Sequence, residues 1–321
     1  VLFSPARLHI YIAGRLTACL TLGAGGESEV TNVLVLGATG FIGSAVTREL
    51  IAHGHRVTAL SRSSASDEKL KALGAAPLRG DLRNPEMWCT VIGECDAVVQ
   101  AAATFSDDMG DVDEGVLSAI EATLDGRRER LRVVYTGGCW LYGKTGDEVA
   151  DENSRFNPIR SFAWMVGNAR RLVESERISA AIIHPGMVYD ADGGVFEDYI
   201  EAAKNGRPVE VWGAFDTRWP LVHRDDLARA YRLLVEAPEA EGHFNASAET
   251  GVRTGEIAAD IARHFGRGSE VEIVSVDEVV GRYGDWAEGP TLDQQMSSNR
   301  LRDELNWRPK HGSYKGSDVF R

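Results

Sequence analysis

"TNVLVLGATGFIGSAVTREL", residues 31–50, decides how the chain is read. "NVLVLG" is the short, continuous apolar run that a buried parallel strand needs. After it, Ile42, Val46 and Leu50 recur at helical spacing, Gly54 closes the helix and "HRVTALSR" forms the next strand. Gly37, Gly40 and Gly43 fall between strand and helix. Missing side chains there let the backbone turn sharply and approach a pyrophosphate, whose charge is met by free N–H groups and the positive helix end. Gly37, Thr39, Gly40, Phe41, Ile42 and Gly43 are therefore the expected dinucleotide cradle.

Further strands are expected at "DAVVQAAA" (96–103), "LRVVYTGG" (131–138) and "SAAIIHPG" (179–186), with helical stretches between them. Alternating strands and helices predict an α/β fold, a Rossmann-type doubly wound parallel sheet with right-handed crossovers. Beyond Gly186 the alternation loosens. The expected division is an N-terminal extension over 1–30, an NADP-binding Rossmann domain over 31–186, and a smaller lobe over 187–321. That lobe is mainly substrate-binding, with elements returning to the first domain. The extension is acid-poor and its apolar run is broken by Arg15, too short to span a bilayer. It is read as upstream sequence ahead of the domain, with a targeting peptide as the alternative.

The net charge of −13 and a pI near 5.1 argue against a nucleic-acid partner or an anionic membrane. Cys19, Cys89, Cys95 and Cys139 show neither a C-x-x-C pair nor zinc spacing, so no metal is expected and a reducing, cytoplasmic compartment fits best. At the end of the second strand a carboxylate would hold the ribose hydroxyl of NAD. The chain has "LSRSS" instead, and Ser61, Arg62 and Ser63 match the 2′-phosphate of NADP(H), which is expected to be preferred over NAD(H). The acid-rich "FSDDMGDVDEG" (105–115) lacks calcium-loop spacing and is read as a solvated loop leading into a helix.

The ordered set "GATGFIG", "GDLRNPE", "DAVVQAAA", "VVYTGGCWLYG", "IIHPGMVYD", "WPLVHRDDLARAY", "GHFNAS" and "RLRDELNWRP" resembles the extended or atypical branch of the short-chain dehydrogenase/reductase superfamily, of the NAD-dependent epimerase/dehydratase type. The resemblance implies that Asp81 and Leu82 lie near the adenine. It implies that Ala101, Ala102, Ala103, Thr136, Pro185 and Val188 line the cofactor. Thr104, Gly138, Cys139, Trp140, Trp164 and Met187 fall on the substrate side, and the relatives' common helix-mediated pairing suggests a homodimer.

The family's Tyr-x-x-x-Lys does not carry over. The helix "SFAWMVGNARRLVES" holds neither residue, and the pair becomes Trp164/Asn168 or Val166/Arg170 according to register. Tyr142 and Tyr189 are the candidate replacement proton donors, with Thr136 and Cys139 as weaker alternatives and Arg170 as a group that stabilises an oxyanion without donating a proton. His184 is expected as a core histidine, and the helix after His223 is expected to be capped by Asp225 or Asp226. The expected function is an NADP(H)-dependent oxidoreductase acting on the carbonyl or alcohol of a small, largely uncharged molecule. A sugar-nucleotide epimerase or dehydratase and a non-catalytic NADP(H)-binding regulator are the alternatives.

Overall fold

The structure, a computed structural model, describes residues 30–266 and 270–320. The expectations for residues 1–29 lie outside them. In chain order the elements are β1 (Asn32–Leu36), α1 (Phe41–Ala52), β2 (Arg56–Ser61), α2 (Ser64–Leu73), β3 (Ala76–Arg79), β4 (Ala97–Gln100), α3 (Met109–Ala122), β5 (Leu131–Thr136), α4 (Trp164–Val173) and β6 (Ile178–Pro185). There follow β7 (Met187–Asp190), β8 (Gly193–Gly194), α5 (Glu197–Lys204), β9 (Val209–Trp212), β10 (Arg218–His223), α6 (Arg224–Glu236), β11 (Gly242–Ala246), β12 (Glu249–Arg253), α7 (Thr254–Phe265), β13 (Val271–Val274), α8 (Val276–Tyr283) and α9 (Asn299–Leu305).

Seven parallel strands form the central sheet in the order β11-β6-β5-β4-β1-β2-β3. Because side chains alternate across a strand, each strand feeds two cores. Val33, Val35, Val57 and Ala59 pack with α1 and α6, whereas Leu34, Leu36, Val98, Val133 and Tyr135 pack with α3 and α4. Burial on both faces explains why these strands read as unbroken apolar runs. The "DAVVQAAA" strand ends at Gln100, so Ala101–Ala103 are irregular backbone beyond the sheet.

A second sheet, β12-β10-β7-β8, and the pair β13-β9 lie downstream of β6. Their core holds Met187, Tyr189, Phe196, Trp219 and Ile257. The chain returns to the central sheet through α6, which packs on α1, and β11, which pairs with β6. Arg300 of α9 covers that edge strand, donating to the carbonyls of His243 (2.8 Å) and Glu241 (3.0 Å). No helix among the described residues is long and apolar enough to cross a membrane.

Candidate active site

Strand register gathers the functional candidates on one edge. Leu36 lies beside Gln100, Gln100 beside Tyr135, and Thr136 beside Ile183. Gly37, Ala101, Gly137 and His184 therefore continue the strands at neighbouring positions, with Ser61 at the end of β2.

At the nucleotide half the glycines divide by cause. Gly37 has φ +86°, and a Cβ there would stand 2.5 Å from the Ala101 carbonyl oxygen. At Gly43 it would stand 2.1 Å from the Gly37 oxygen, so both are fixed by the protein's own packing. Gly40 is different. Its φ is −78°, and a Cβ would meet only the Gly37 oxygen at 3.2 Å. The exposed face it keeps bare is where a diphosphate would approach, and the first turn of α1 there has neither a side-chain cap nor an acidic residue. Thr39 is exposed, and Phe41 and Ile42 are half-buried behind it. The Phe41 ring turns away, under the guanidinium of Arg224 at 4.7 Å.

Ser61 is buried and donates to the Ser63 carbonyl at 3.1 Å. Ser63 caps α2, its hydroxyl accepting the Ser66 N–H at 3.1 Å. Between them Arg62 is exposed and makes no hydrogen bond or ion pair among the described residues. Asp81 and Leu82 are half-buried beyond β3, and the Asp81 carboxylate accepts the Arg83 N–H at 2.9 Å. The residues present thus fit a dinucleotide: a bare cradle, an uncapped helix end and a free cation beside a capped one.

The other half of the edge is full. Thr136 donates to the Gln100 carbonyl (2.7 Å) and lies 2.6 Å from the Tyr231 hydroxyl. The turn Cys139–Tyr142 follows β5 and is held by Gln294, whose amide donates to the carbonyls of Cys139 (2.8 Å) and Gly143 (2.7 Å). Gly138 leads into that turn. Burial pushes the Cys139 thiol up to about 12, so it is no nucleophile at neutral pH. Trp140 packs on Phe162, with ring centroids 5.4 Å apart, and over Gly289. Pro185 and Met187 are buried, and Val188 is half-buried and packs against the core beneath α1 and α6.

The phenols have contrasting settings. Tyr142 is 5% exposed and donates to Asn245 Oδ1 at 2.7 Å; burial raises its pKa, the Asn245 bond partly opposing. Tyr189 is fully buried, stacked on Phe196 with its centroid 4.7 Å away, and its hydroxyl has no hydrogen-bond partner among the described residues. Burial raises its pKa too, reinforced by Glu249, Asp226 and Asp318.

His184 is fully buried, and its Nε2 lies 2.9 Å from His243 Nδ1. Its Nδ1 accepts the Gly138 N–H at 3.3 Å, which makes Nε2 the protonated nitrogen and the donor to His243. Burial, then the His243 ring, lowers the His184 pKa to about 3.

Two expectations change. "FSDDMGDVDEG" is only partly a loop: α3 begins at Met109, and Asp113 is a buried residue of that helix. Its carboxylate accepts from Gln100 Nε2, the Tyr135 hydroxyl and Asn168 Nδ2, each at 2.7 Å. Burial raises its pKa against those three donors. Of the two registers on α4, Asn168 faces this network, while Arg170 lines a shallow outer depression with Glu121 and Glu174. Trp164 packs on Gly110 and donates to the Ser161 carbonyl at 3.0 Å. Second, α6 is capped by His223 itself, whose Nδ1 accepts the Asp225 N–H at 3.2 Å.

Gln100, His243 and Gln294 were not singled out from sequence, and Asp113 was read only as one of a solvated cluster of acids. A polar residue closing an all-apolar strand was the one available signal, for Gln100. Among the described residues, no group of three His, Cys, Asp or Glu side chains is placed to hold a metal, and Cys89, Cys95 and Cys139 are free.

The model of the NAD dependent epimerase/dehydratase family matches residues 33–247. The chain belongs to that family. An uncharacterised protein of Schizosaccharomyces pombe is 30% identical over 291 residues, covering 88% of this chain and 96% of its own. The Dictyostelium discoideum sterol-4-alpha-carboxylate 3-dehydrogenase, decarboxylating, is 36% identical over 233 residues, 67% of this chain and 70% of its own. The structure of human epimerase family protein SDR39U1 with NADPH superposes with a TM-score of 0.71 at 20% identity, covering 88% of this chain and 96% of that one. This epimerase/dehydratase-family chain thus has the NAD(P)-binding Rossmann fold of the extended short-chain dehydrogenases/reductases, and its α4 contains neither Tyr nor Lys.

Proposed function

We propose that the chain is an NADP(H)-dependent oxidoreductase acting on the carbonyl or alcohol of a small, largely uncharged molecule. Residues 31–186 chiefly hold the cofactor, and 187–321 chiefly the substrate. The carrying observation is the free, exposed Arg62 between Ser61 and the α2 cap Ser63, with no carboxylate at the end of β2. A guanidinium without an internal partner suits a phosphate dianion. The Dictyostelium relative's dehydrogenase activity and the NADPH of the human neighbour support the same reading.

Gly37, Gly40, Gly43 and the first turn of α1 would hold the diphosphate, and Ala101–Ala103, Pro185 and Val188 the nicotinamide half. When bound, the nicotinamide gives or takes the hydride. The chain's own residues must exclude water and move one proton. Tyr142 and Tyr189 are the phenols offered for the proton, and Phe substitution assigns the role: the variant that loses turnover at unchanged NADPH affinity carries it. An uncharged substrate is supported by Arg218. Its guanidinium is paired with both oxygens of Asp293 (2.8 and 2.7 Å) and with Asp147 (3.0 Å), leaving no free cation there for a sugar nucleotide.

NADPH consumption with a panel of neutral aldehydes, ketones and enones tests the reading, with Gly40→Asp as the control that abolishes it. A second reading, NADP(H) binding without turnover, is favoured by the engagement of Tyr142 and Thr136. Tight NADPH binding with no consumption across the panel selects it.

A further inference from the structure

Three aromatic rings lie together at the surface of the second lobe. Trp212 ends β9, and its ring stacks on Tyr283 of α8 with centroids 5.0 Å apart and meets Trp286 at 6.2 Å. Gly284, at φ +90°, ends α8 and turns the chain between Tyr283 and Trp286. Val274, Val279 and Ala287 are buried against Trp212, so the group is held from beneath. Yet Tyr283 is 47% exposed and Trp286 44%. The Tyr283 hydroxyl and the indole N–H groups of Trp212 and Trp286 have no partner among the described residues. Single exposed rings are ordinary on a protein surface, whereas a fixed group of three has the composition of an interface core.

The charge around the rings selects the partner. Glu210 of β9 lies beside Glu272 of β13 in the strand register, on the face that carries Trp212. Two carboxylates at paired positions repel. Arg282 compensates Glu210, at 3.1 and 3.2 Å, and also pairs with Glu278. Glu272, Asp277, Asp285 and Glu288 are exposed and have no ion pair among the described residues. With a net charge of −13, the chain repels nucleic acid, an anionic membrane and a second copy of itself at this face. A guanidinium or ammonium gains from the rings and from the carboxylates together.

We propose that the face formed by Trp212, Tyr283 and Trp286 docks a Lys- or Arg-rich segment of another protein. Labelled Lys-Ala and Arg-Ala repeat peptides, with a Glu-Ala repeat as control, test this by fluorescence anisotropy against the full chain. The basic peptides bind, more weakly as salt rises, and the acidic one does not. Trp286→Ala weakens them about 10-fold and Glu272→Lys about as much, each with a thermal midpoint within about 2 °C of wild type. Glu129→Lys makes the same charge change at an exposed carboxylate ahead of β5 and moves affinity less than about 2-fold. Equal losses from Glu129→Lys and Glu272→Lys would reduce the attraction to net charge and overturn the proposal. So would undiminished binding by Trp286→Ala, or no binding by the wild type. Self-association of the wild type that Trp286→Ala abolishes would assign the face to a second copy and also overturn it. If Trp286→Ala melts well below wild type, Glu272→Lys set against Glu129→Lys decides.

Discussion

Around β1, β2 and β4 the sheet's C-terminal edge is bare backbone and one unpaired guanidinium. Around β5, β6 and β11 it is packed with side chains that already hold one another: Thr136 with Tyr231, Tyr142 with Asn245, and His184 with His243. Side-chain-free backbone and unmet N–H groups are costly to keep unless a ligand meets them. Satisfied polar pairs, by contrast, hold a core in one arrangement without help. The β1–β2–β4 half is therefore left open to something outside the chain, and the β5–β6–β11 half is satisfied chiefly within it.

The sharpest way to break this contrast lies inside the cradle. Gly37→Ala forces a Cβ to 2.5 Å from the Ala101 oxygen at a positive φ and should cost about 3 kcal/mol or more in chemical denaturation. Gly40→Ala should stay within about 1 kcal/mol of wild type while NADPH affinity drops about 10-fold or more. Similar stability losses in both would mean that Gly40 serves packing too.

At the other half, the lowered pKa of His184 links folding to pH. The folded state resists a proton that the unfolded chain accepts below about 6.5, so stability is complete above that value and is lost on acidification toward pH 3. The expected loss is about 2 kcal/mol between pH 6.5 and 4.5. His184→Phe should flatten the measured profile in that window. An unchanged slope would show that the histidine pair is not closed to protons.

A smaller effect tests the unpaired cation. Arg62→Ala should weaken NADPH about 10-fold, near 1.4 kcal/mol, and NADH less than about 2-fold. Equal losses would make Arg62 an ordinary surface residue. Smallest of all, Tyr142→Phe removes one hydrogen bond and should cost about 1 kcal/mol of stability. If turnover vanishes as well, the phenol leaves Asn245 to serve the substrate, and the contrast between the halves softens.

The fold was legible because its signals are local. An apolar run, glycines at fixed offsets and a 3.6-residue period all lie within "NVLVLGATGFIGSAVTREL", and strand-helix alternation does the rest. The glycine turn between β1 and α1 was legible for the same reason. The reaction half was not, because its meaning depends on partners far away in the chain: Tyr142 on Asn245, His184 on His243, Cys139 on Gln294. Asp113 misled because an aspartate in an acid-rich stretch looks solvated. Only the approach of Gln100, Tyr135 and Asn168 makes it a core residue. His223 hid as a cap because acids followed it, whereas its own ring nitrogen accepts the Asp225 N–H.

The strand β11 has one further consequence, for how the chain is made. It pairs with β6, but more than fifty residues are synthesised between them, so β6 must wait with an open edge while they emerge. An unpaired parallel edge rich in Ala and Ile is a template for the wrong neighbour, and late, non-local pairing is slow. Chains cut before Gly242 should aggregate rather than form a smaller Rossmann domain. Once β11 arrives, Arg300 closes over its outer carbonyls, making the last elements of the chain the seal on its first sheet.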